Sequence, residues 1–541
     1  MKIFKRFLII VGILAVLFQV PFSCAQRGTP GGGPIDTIPP VVVNAKPANF
    51  STHFKAEKIR INFDEYIKLN DPNTQILISP PMEKKPIISP QGPAQKYVEI
   101  ELKDNLKPNT TYTINFGQSI EDNNEGNPLP FYKYVFSTGD YIDSLSVSGK
   151  IKDAYNRKTD EFISVMLYKL DSTYSDSIIY KKPPTYIAQT QDSTHTFEIE
   201  NIAEGKYKIF ALKDKNQNYI FDPKTDKIGF LADTIELPTE QNYDLKVFRE
   251  KREFKAKSPS QESLENLLFG IEGGAENTKV EMISEKPADF AETYYKDKET
   301  DSISYWFKPY FEADSLVFTV SKAEKQDTLV TKLKEIERDS LKIKANPTSV
   351  LGLKENFSLS GNTPFVEINA ELIKIEDQDS SAVSFETKFN AEINQLVLDF
   401  EKQEKQIYNI EVLPGAIKDF YQQENDTLNY TLKTNPKTDY ADVELTLENI
   451  SSYPVILQLA DEKGETKREK IHQEEEGNVF RFSYVNPGKY HVRVIYDENN
   501  NGKWDTGNYL KNLQPEKVIY MSEPLDVRKN WEISQTFILK E

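Results

Sequence analysis

One cysteine, four histidines and five methionines stand in a chain of 541 residues. A lone thiol excludes an internal disulfide framework, and so few soft side chains leave almost nothing to hold zinc, copper or an iron–sulfur cluster. Cations are short as well: 67 Lys and Arg face 84 Asp and Glu, a net charge of −17. Nucleic acid and anionic membrane surfaces are bound through clustered Lys and Arg, so this balance argues against both. Helical patterning is missing too. No stretch sustains apolar residues at i, i+3, i+4 and i+7, and only residues 259–269 (PSQESLENLLF) suggest a short helix. The histidines (His53, His195, His472, His491) show no i, i+4 or H-x-H spacing, so a metal triad or a Ser-His-Asp set has no support. His491 alternates with Tyr490 and Val492 and is expected on an exposed strand face. Gly270-Ile271-Glu272-Gly273-Gly274 lacks the Lys-Ser/Thr of a phosphate loop and reads as a β-turn.

What is abundant is aromatic and alternating. The chain holds 28 Tyr and 31 Phe. Ile59, Ile61 and Phe63 alternate with Lys58, Arg60 and Asn62, and Val98, Ile100 and Leu102 with Glu99 and Glu101. Leu316/Phe318/Val320, Leu396/Leu398/Phe400 and Val443/Leu445/Leu447 repeat the pattern. Period-two alternation marks strands with one buried and one wet face, so the fold class is all-β, a string of antiparallel β-sandwich domains. At about 100 residues per domain the length holds roughly five.

Residues 1–23 read as an export signal. Lys2, Lys5 and Arg6 precede an apolar run from Phe7 to Val20, broken only by Gln19, and then Pro21-Phe22-Ser23. A run of about 14 residues is too short to span a ~30 Å bilayer as a lone helix and suits a signal segment. Cys24 follows directly, where bacterial lipoproteins carry their acyl chains, and several chains anchor stably where one is marginal. Pro21 and Phe22 depart from the usual lipobox. Ser23-Cys24-Ala25 also fits ordinary signal cleavage, which would release a soluble protein from Gln26. Residues 24–40 are Gly- and Pro-rich without apolar periodicity, a tether reaching at most about 50 Å.

An internal repeat organises the rest. Phe197, Ile199, Ile202, Gly205, Lys206 and Tyr207 match Phe480, Phe482, Val485, Gly488, Lys489 and Tyr490 without a gap. Asp214, Asn216, Asn218 and Asp222 then match Asp497, Asn499, Asn501 and Asp505. With the opening strand–Gly–strand Val147-Ser148-Gly149-Lys150-Ile151, the module resembles the prealbumin-like (carboxypeptidase regulatory-type) sandwich, which implies a non-catalytic appendage at 141–248 and again at 439–541. Ahead of the first copy stand Pro39-Pro40-Val41, Phe63-Asp64-Glu65-Tyr66-Ile67, Leu106-Lys107-Pro108-Asn109-Thr110-Thr111-Tyr112, Ile120-Glu121-Asp122 and Phe136-Ser137-Thr138-Gly139. This segment, 41–140, resembles the bacterial Ig-like domain of the S-layer (SbsA) type. Residues 348–438 resemble a diverged second copy through Tyr408-Asn409-Ile410, Ala416-Ile417-Lys418-Asp419 and Thr431-Leu432-Lys433-Thr434. Residues 249–347 are strand-like and carry no motif that names a family. The tether from Cys24 through Gly32-Gly33-Pro34 to Asp36-Thr37 resembles that of Ig-like lipoproteins of Bacteroidota, which implies an outer-membrane anchor. Which face carries the protein stays open, and the lack of acid in Ala25-Gln26-Arg27 leans toward the periplasm.

The matched Asx loops are the candidate metal sites. Asp214, Asn216, Asn218 and Asp222, and likewise Asp497, Asn499, Asn501 and Asp505, place oxygens at positions 1, 3, 5 and 9 of a calcium loop. Thr225 and Asn508 stand where a bidentate Glu should close the site, and Asx residues also build metal-free turns by capping local N–H groups. Calcium and a plain turn are both open, the turn favoured. Asp64 and Glu65 are neighbours on a strand and point to opposite faces, so they form no acid/base pair. No catalytic residue is assigned. The expected role is a non-enzymatic envelope lipoprotein, a modular spacer or interaction scaffold, whose partner is an envelope protein or a glycan. One alternative is carbohydrate binding on an exposed platform of Trp306 and Tyr310, and a weaker one is a hydrolase within 249–347.

Overall fold

A computed structural model describes residues 36–190, 194–297 and 300–540. The signal segment, Cys24 and most of the tether lie outside the described residues. The chain divides into two compact units, Met1–Ile142 and Asp143–Glu541. Among the described residues regular structure is almost entirely strand, and the one α-helix is the four-residue turn Pro72–Gln75.

In the first unit the long strand Lys58–Leu69 sits between Val42–Lys46 and Gln95–Glu101, and its far end pairs with Ile120–Asp122. A second sheet joins Leu77–Ser79, Thr111–Asn115 and Lys133–Ser137. The alternation works as read: Ile59, Ile61, Phe63, Val98 and Ile100 meet Tyr112, Ile114, Tyr134 and Phe136 in one core. The ladder with Gln95–Glu101 shifts register between Asn62 and Ile67, so Phe63-Asp64-Glu65-Tyr66 is the bend at which the long strand changes partners. Asp64 there accepts from the Val41 N–H at 2.9 Å. The buried carboxylate of Asp122 accepts from the N–H groups of Asn124, Glu125, Gly126 and Asn127. Burial pushes this group up, but the four donors outweigh it and hold the carboxyl down at about 2.

In the second unit the two repeat segments have the same topology. In the first, Tyr186–Gln189, Ser164–Lys169, Gly205–Lys213 and Lys227–Phe230 form one sheet, and Thr196–Ile202, Leu145–Asp153 and Asn242–Val247 the other, the last pair parallel. In the second, Thr466–His472, Val455–Ala460, Gly488–Tyr496 and Val518–Tyr520 face Val479–Val485, Ala441–Glu448 and Glu532–Ile538, again with a parallel last pair. The repeated residues have physical reasons. Phe197 and Phe480 fill the two cores. The hydroxyls of Tyr207 and Tyr490 each donate at 2.8 Å to the carbonyl four residues upstream, Ala203 and Asn486, the bond that fixes the corner. Gly149 is required by space, since a Cβ there would lie 1.7 Å from the Tyr243 carbonyl oxygen.

Between the repeats lie two further cores. Residues 259–269 do not form the short helix expected of them. They are the hairpin Ser260–Ser263 and Asn266–Glu272, because Leu267, Phe269 and Ile271 alternate into the core beside Ser302–Lys308. The segment from residue 343 to 433 has the strand order of the first unit, with the long central strand split into Phe357–Gly361 and Phe365–Ile368. Its local bonds recur as well. The Tyr408 hydroxyl accepts from Gln403 N–H and Thr434 caps the same loop, as Tyr112 and Thr138 do with Lys107.

Candidate functional site

The Asx loops come first. In the first repeat the Asp214 carboxylate accepts from the N–H of Asn216 at 2.9 Å and of Tyr219 at 2.6 Å. Asn218 accepts from Ile220, and Asp222 from Lys224. In the second, Asp497 accepts from Asn501 and Gly502, and Asn501 from Lys503. Asn499 and Asn501 turn their amide nitrogens, not their oxygens, toward Asp505. The side-chain oxygens are thus occupied by local donors, as in an Asx turn. Among the described residues no three His, Cys, Asp or Glu side chains converge as a metal-ligating group. Gln217 and Asn500, then Tyr219 and Gly502, share positive φ at matching positions, so the loop takes one shape with or without glycine.

Sequence reading missed the staple of each loop. Asp226, fully buried, accepts from the N–H groups of Lys215 and Asp222. Glu516 does the same for Glu498 and Asp505 at 2.9 and 2.8 Å. Burial raises the Glu516 carboxyl above its ordinary range against these two donors, and the nearby Asp505 and Asp497 carboxylates raise it further. The acid moved along the chain because the second repeat carries an inserted segment, residues 506–515, where the first has only Pro223-Lys224-Thr225.

That insertion docks on the first repeat. The Tyr509 N–H donates to Glu250 at 2.6 Å, and its ring packs edge-on against Phe210 and Phe230 at 5.0 and 5.2 Å. Thr506 donates to the Arg249 carbonyl and Gln514 to that of Phe230. Gly507 lies so close that a Cβ would be 2.6 Å from both the Leu513 oxygen and the Phe248 ring.

A second contact runs the other way. Arg493, 1% exposed, stands where the first repeat has Phe210. Its guanidinium donates to Gln458 at 2.6 Å, to the Tyr520 hydroxyl at 3.0 Å, to Thr466 at 3.0 Å, and at 2.7 Å to the hydroxyl of Tyr155 in the first repeat. It lies 4.1 Å from the Tyr155 ring centre, and Trp504 packs at a tilt against that ring, the centroids 4.6 Å apart. Tyr520 donates to the Tyr155 carbonyl. Beside it Arg157 approaches His491 Nδ1 at 2.7 Å. His491 is therefore half-buried at a junction and not on the exposed strand face expected of it. Burial, and then the Arg157 charge, hold its pKa below the usual histidine value. The central strands Ser164–Lys169 and Val455–Ala460 are consequently buried on both faces.

Trp306 corrects another expectation. It is 3% exposed, donates to Ser304, and its ring meets Tyr421 at 6.1 Å. The Tyr421 hydroxyl donates to the Phe307 carbonyl at 3.0 Å, joining the 260–331 strands to the 343–433 segment. Trp306 and Tyr310 form no exposed platform for a sugar.

Residues 36–138 match the bacterial Ig-like domain family. No curated protein sequence matches the chain. Among solved structures, domains 1–6 of the surface layer protein SbsC align at 10% identity over 90% of this chain and 67% of that one, with a TM-score of 0.16. The major pilin subunit BcpA of Bacillus cereus aligns at 10% identity over 73% of this chain and 99% of that one, with a TM-score of 0.14.

Proposed function

We propose that this chain is a non-enzymatic cell-envelope lipoprotein, anchored to the outer membrane through lipid on Cys24, that serves as a spacer or interaction scaffold. The observation that carries the reading is where the molecule spends its buried polar groups. Arg493, the largest of the fully buried side chains, directs its donors to Gln458, Thr466, Tyr520 and Tyr155, and so ties one sandwich to another. Burying a cation is costly, and here the bonds that offset the cost hold domains in fixed mutual register. The bacterial Ig-like match at 36–138 supports the same class of protein. The S-layer type of that domain, the prealbumin-like character of the repeats and the placing of the chain in a Bacteroidota envelope belong to this proposal. So does the seven-part division of the chain.

The test has two parts. Metabolic labelling with radioactive palmitate should mark the wild-type protein and leave Cys24→Ala unlabelled; an unlabelled wild type overturns the anchor. Crosslinking in intact cells should then recover one envelope protein repeatedly with wild type and lose it with Cys24→Ala. Recovery of glycan alone would replace the scaffold by the carbohydrate reading.

A further inference from the structure

Strand edges expose unpaired N–H and C=O groups, and natural sheets blunt them with lysine, proline or bulges. The edge strands Val42–Lys46, Asn242–Val247, Thr278–Met282, Ala291–Asp297, Lys325–Thr331, Phe385–Asn390, Leu428–Lys433 and Thr466–His472 each carry at least one lysine. Glu532–Ile538 does not; the other lysine-free edges are three or four residues long, save Thr196–Ile202, which carries Glu198 and Glu200, and Val479–Val485, which carries Arg481. Glu532–Ile538 is seven residues, EISQTFI, with one charge at its start, no proline, and a parallel partner on one side only. Glu532, Ser534, Gln535, Thr536 and Ile538 are exposed.

The ladder fixes which backbone groups are free. The Trp531 carbonyl accepts from Asp442 N–H, and Leu539 N–H donates to the Glu448 carbonyl. Odd-numbered residues therefore face Ala441–Glu448, and Glu532, Ser534, Thr536 and Ile538 turn both N–H and C=O to the open side. We propose that this edge pairs with the same strand of a second copy of the chain, antiparallel, about a twofold axis through Gln535. In that register Ser534 faces Thr536 of the other copy and Glu532 faces its Ile538. Both are pairs of outward-pointing residues, as hydrogen-bonded antiparallel pairs require, and they give about eight backbone bonds. The side chains agree. Serine meets threonine, no like charges oppose, and the core-facing Ile533 and Phe537 lie opposite each other on one face. The exposed side chain of Ile538 is brought beside the other copy's Glu532. A twofold pair closes on itself, so the assembly stops at two. The inference does not depend on where the chain is located or on the anchor.

Sedimentation equilibrium of the full chain in detergent tests it. Wild type should show a concentration-dependent monomer–dimer equilibrium. Ser534→Lys with Thr536→Lys sets lysine opposite lysine twice and should raise the dimer Kd roughly tenfold or more. Ser534→Lys with Thr536→Glu sets lysine opposite glutamate twice and should restore dimerisation, which also shows that substitution at these positions leaves the sandwich folded. A wild type that stays monomeric overturns the proposal, as does a double-lysine variant that dimerises unchanged. A Lys/Glu variant no better than the double-lysine one overturns the register.

Discussion

The bond between Tyr155 and Arg493 makes a quantitative claim about two sandwiches that are remote in sequence. Tyr155→Phe deletes a hydroxyl that accepts from a buried guanidinium at 2.7 Å, and hydrogen bonds to charged groups carry about 1.5–3 kcal/mol. The affected nitrogen keeps Thr466 at 3.0 Å, which places the expected loss near the lower end, about 1.5 kcal/mol. In an Arg493→Met background the same hydroxyl has no cation to serve, so its deletion should cost almost nothing. The double-mutant cycle should therefore show a coupling of about 1.5 kcal/mol. The sign of Arg493→Met alone is less informative, because removing a buried charge also removes its desolvation cost. Guanidinium unfolding followed by Trp504 fluorescence, with Trp306→Phe and Trp531→Phe in every variant, reads the junction directly, since Trp504 packs against Tyr155. Additive effects, with coupling below about 0.5 kcal/mol, would refute the claim that the two repeats are docked.

Gly507→Ala forces a Cβ against the Leu513 carbonyl and the Phe248 ring; a loss of about 1–3 kcal/mol is expected in the same unfolding assay, and a neutral effect would refute the close packing of the insertion. Asp122 is depressed from 3.8 to about 2, so its contribution is present above the unfolded value and disappears as pH falls from about 4 through about 2, an amount of about 2 kcal/mol. Acid titration of stability should lose that step in Asp122→Asn; an unchanged profile would refute it. If the Asx loops are plain turns, millimolar Ca²⁺ and EGTA give the same melting temperature, whereas a rise of several degrees in Ca²⁺ would make them metal sites.

Alternation is a local property, and where burial follows the local sheet the sequence announces it. Ile59/Ile61/Phe63, Leu316/Phe318/Val320, Leu396/Leu398/Phe400 and Val443/Leu445/Leu447 all land in cores. The short helix read into residues 259–269 failed because its leucines have a strand neighbour, Ser302–Lys308, forty residues away. The junction was illegible for a related reason. In Tyr490-His491-Val492-Arg493-Val494 the polar residues fall on the face that alternation assigns to water, and only another sandwich makes that face interior. One signal did exist. The repeat puts Phe210 opposite Arg493, and an apolar residue at an outward position in one copy is unexpected for a wet face. The insertion at 506–515, visible by aligning the copies, was the other.

Tyr155 and Arg493 are 338 positions apart. At 5–20 residues per second, a ribosome needs roughly 20–70 s to travel between them. From the synthesis of its last strand, Asn242–Val247, the first repeat can close its own core but lacks Tyr509 and the other groups of the last module that meet Phe210 and Phe230. The chain thus carries an aggregation window set by its topology, open from the completion of one copy of the repeat until the arrival of the other.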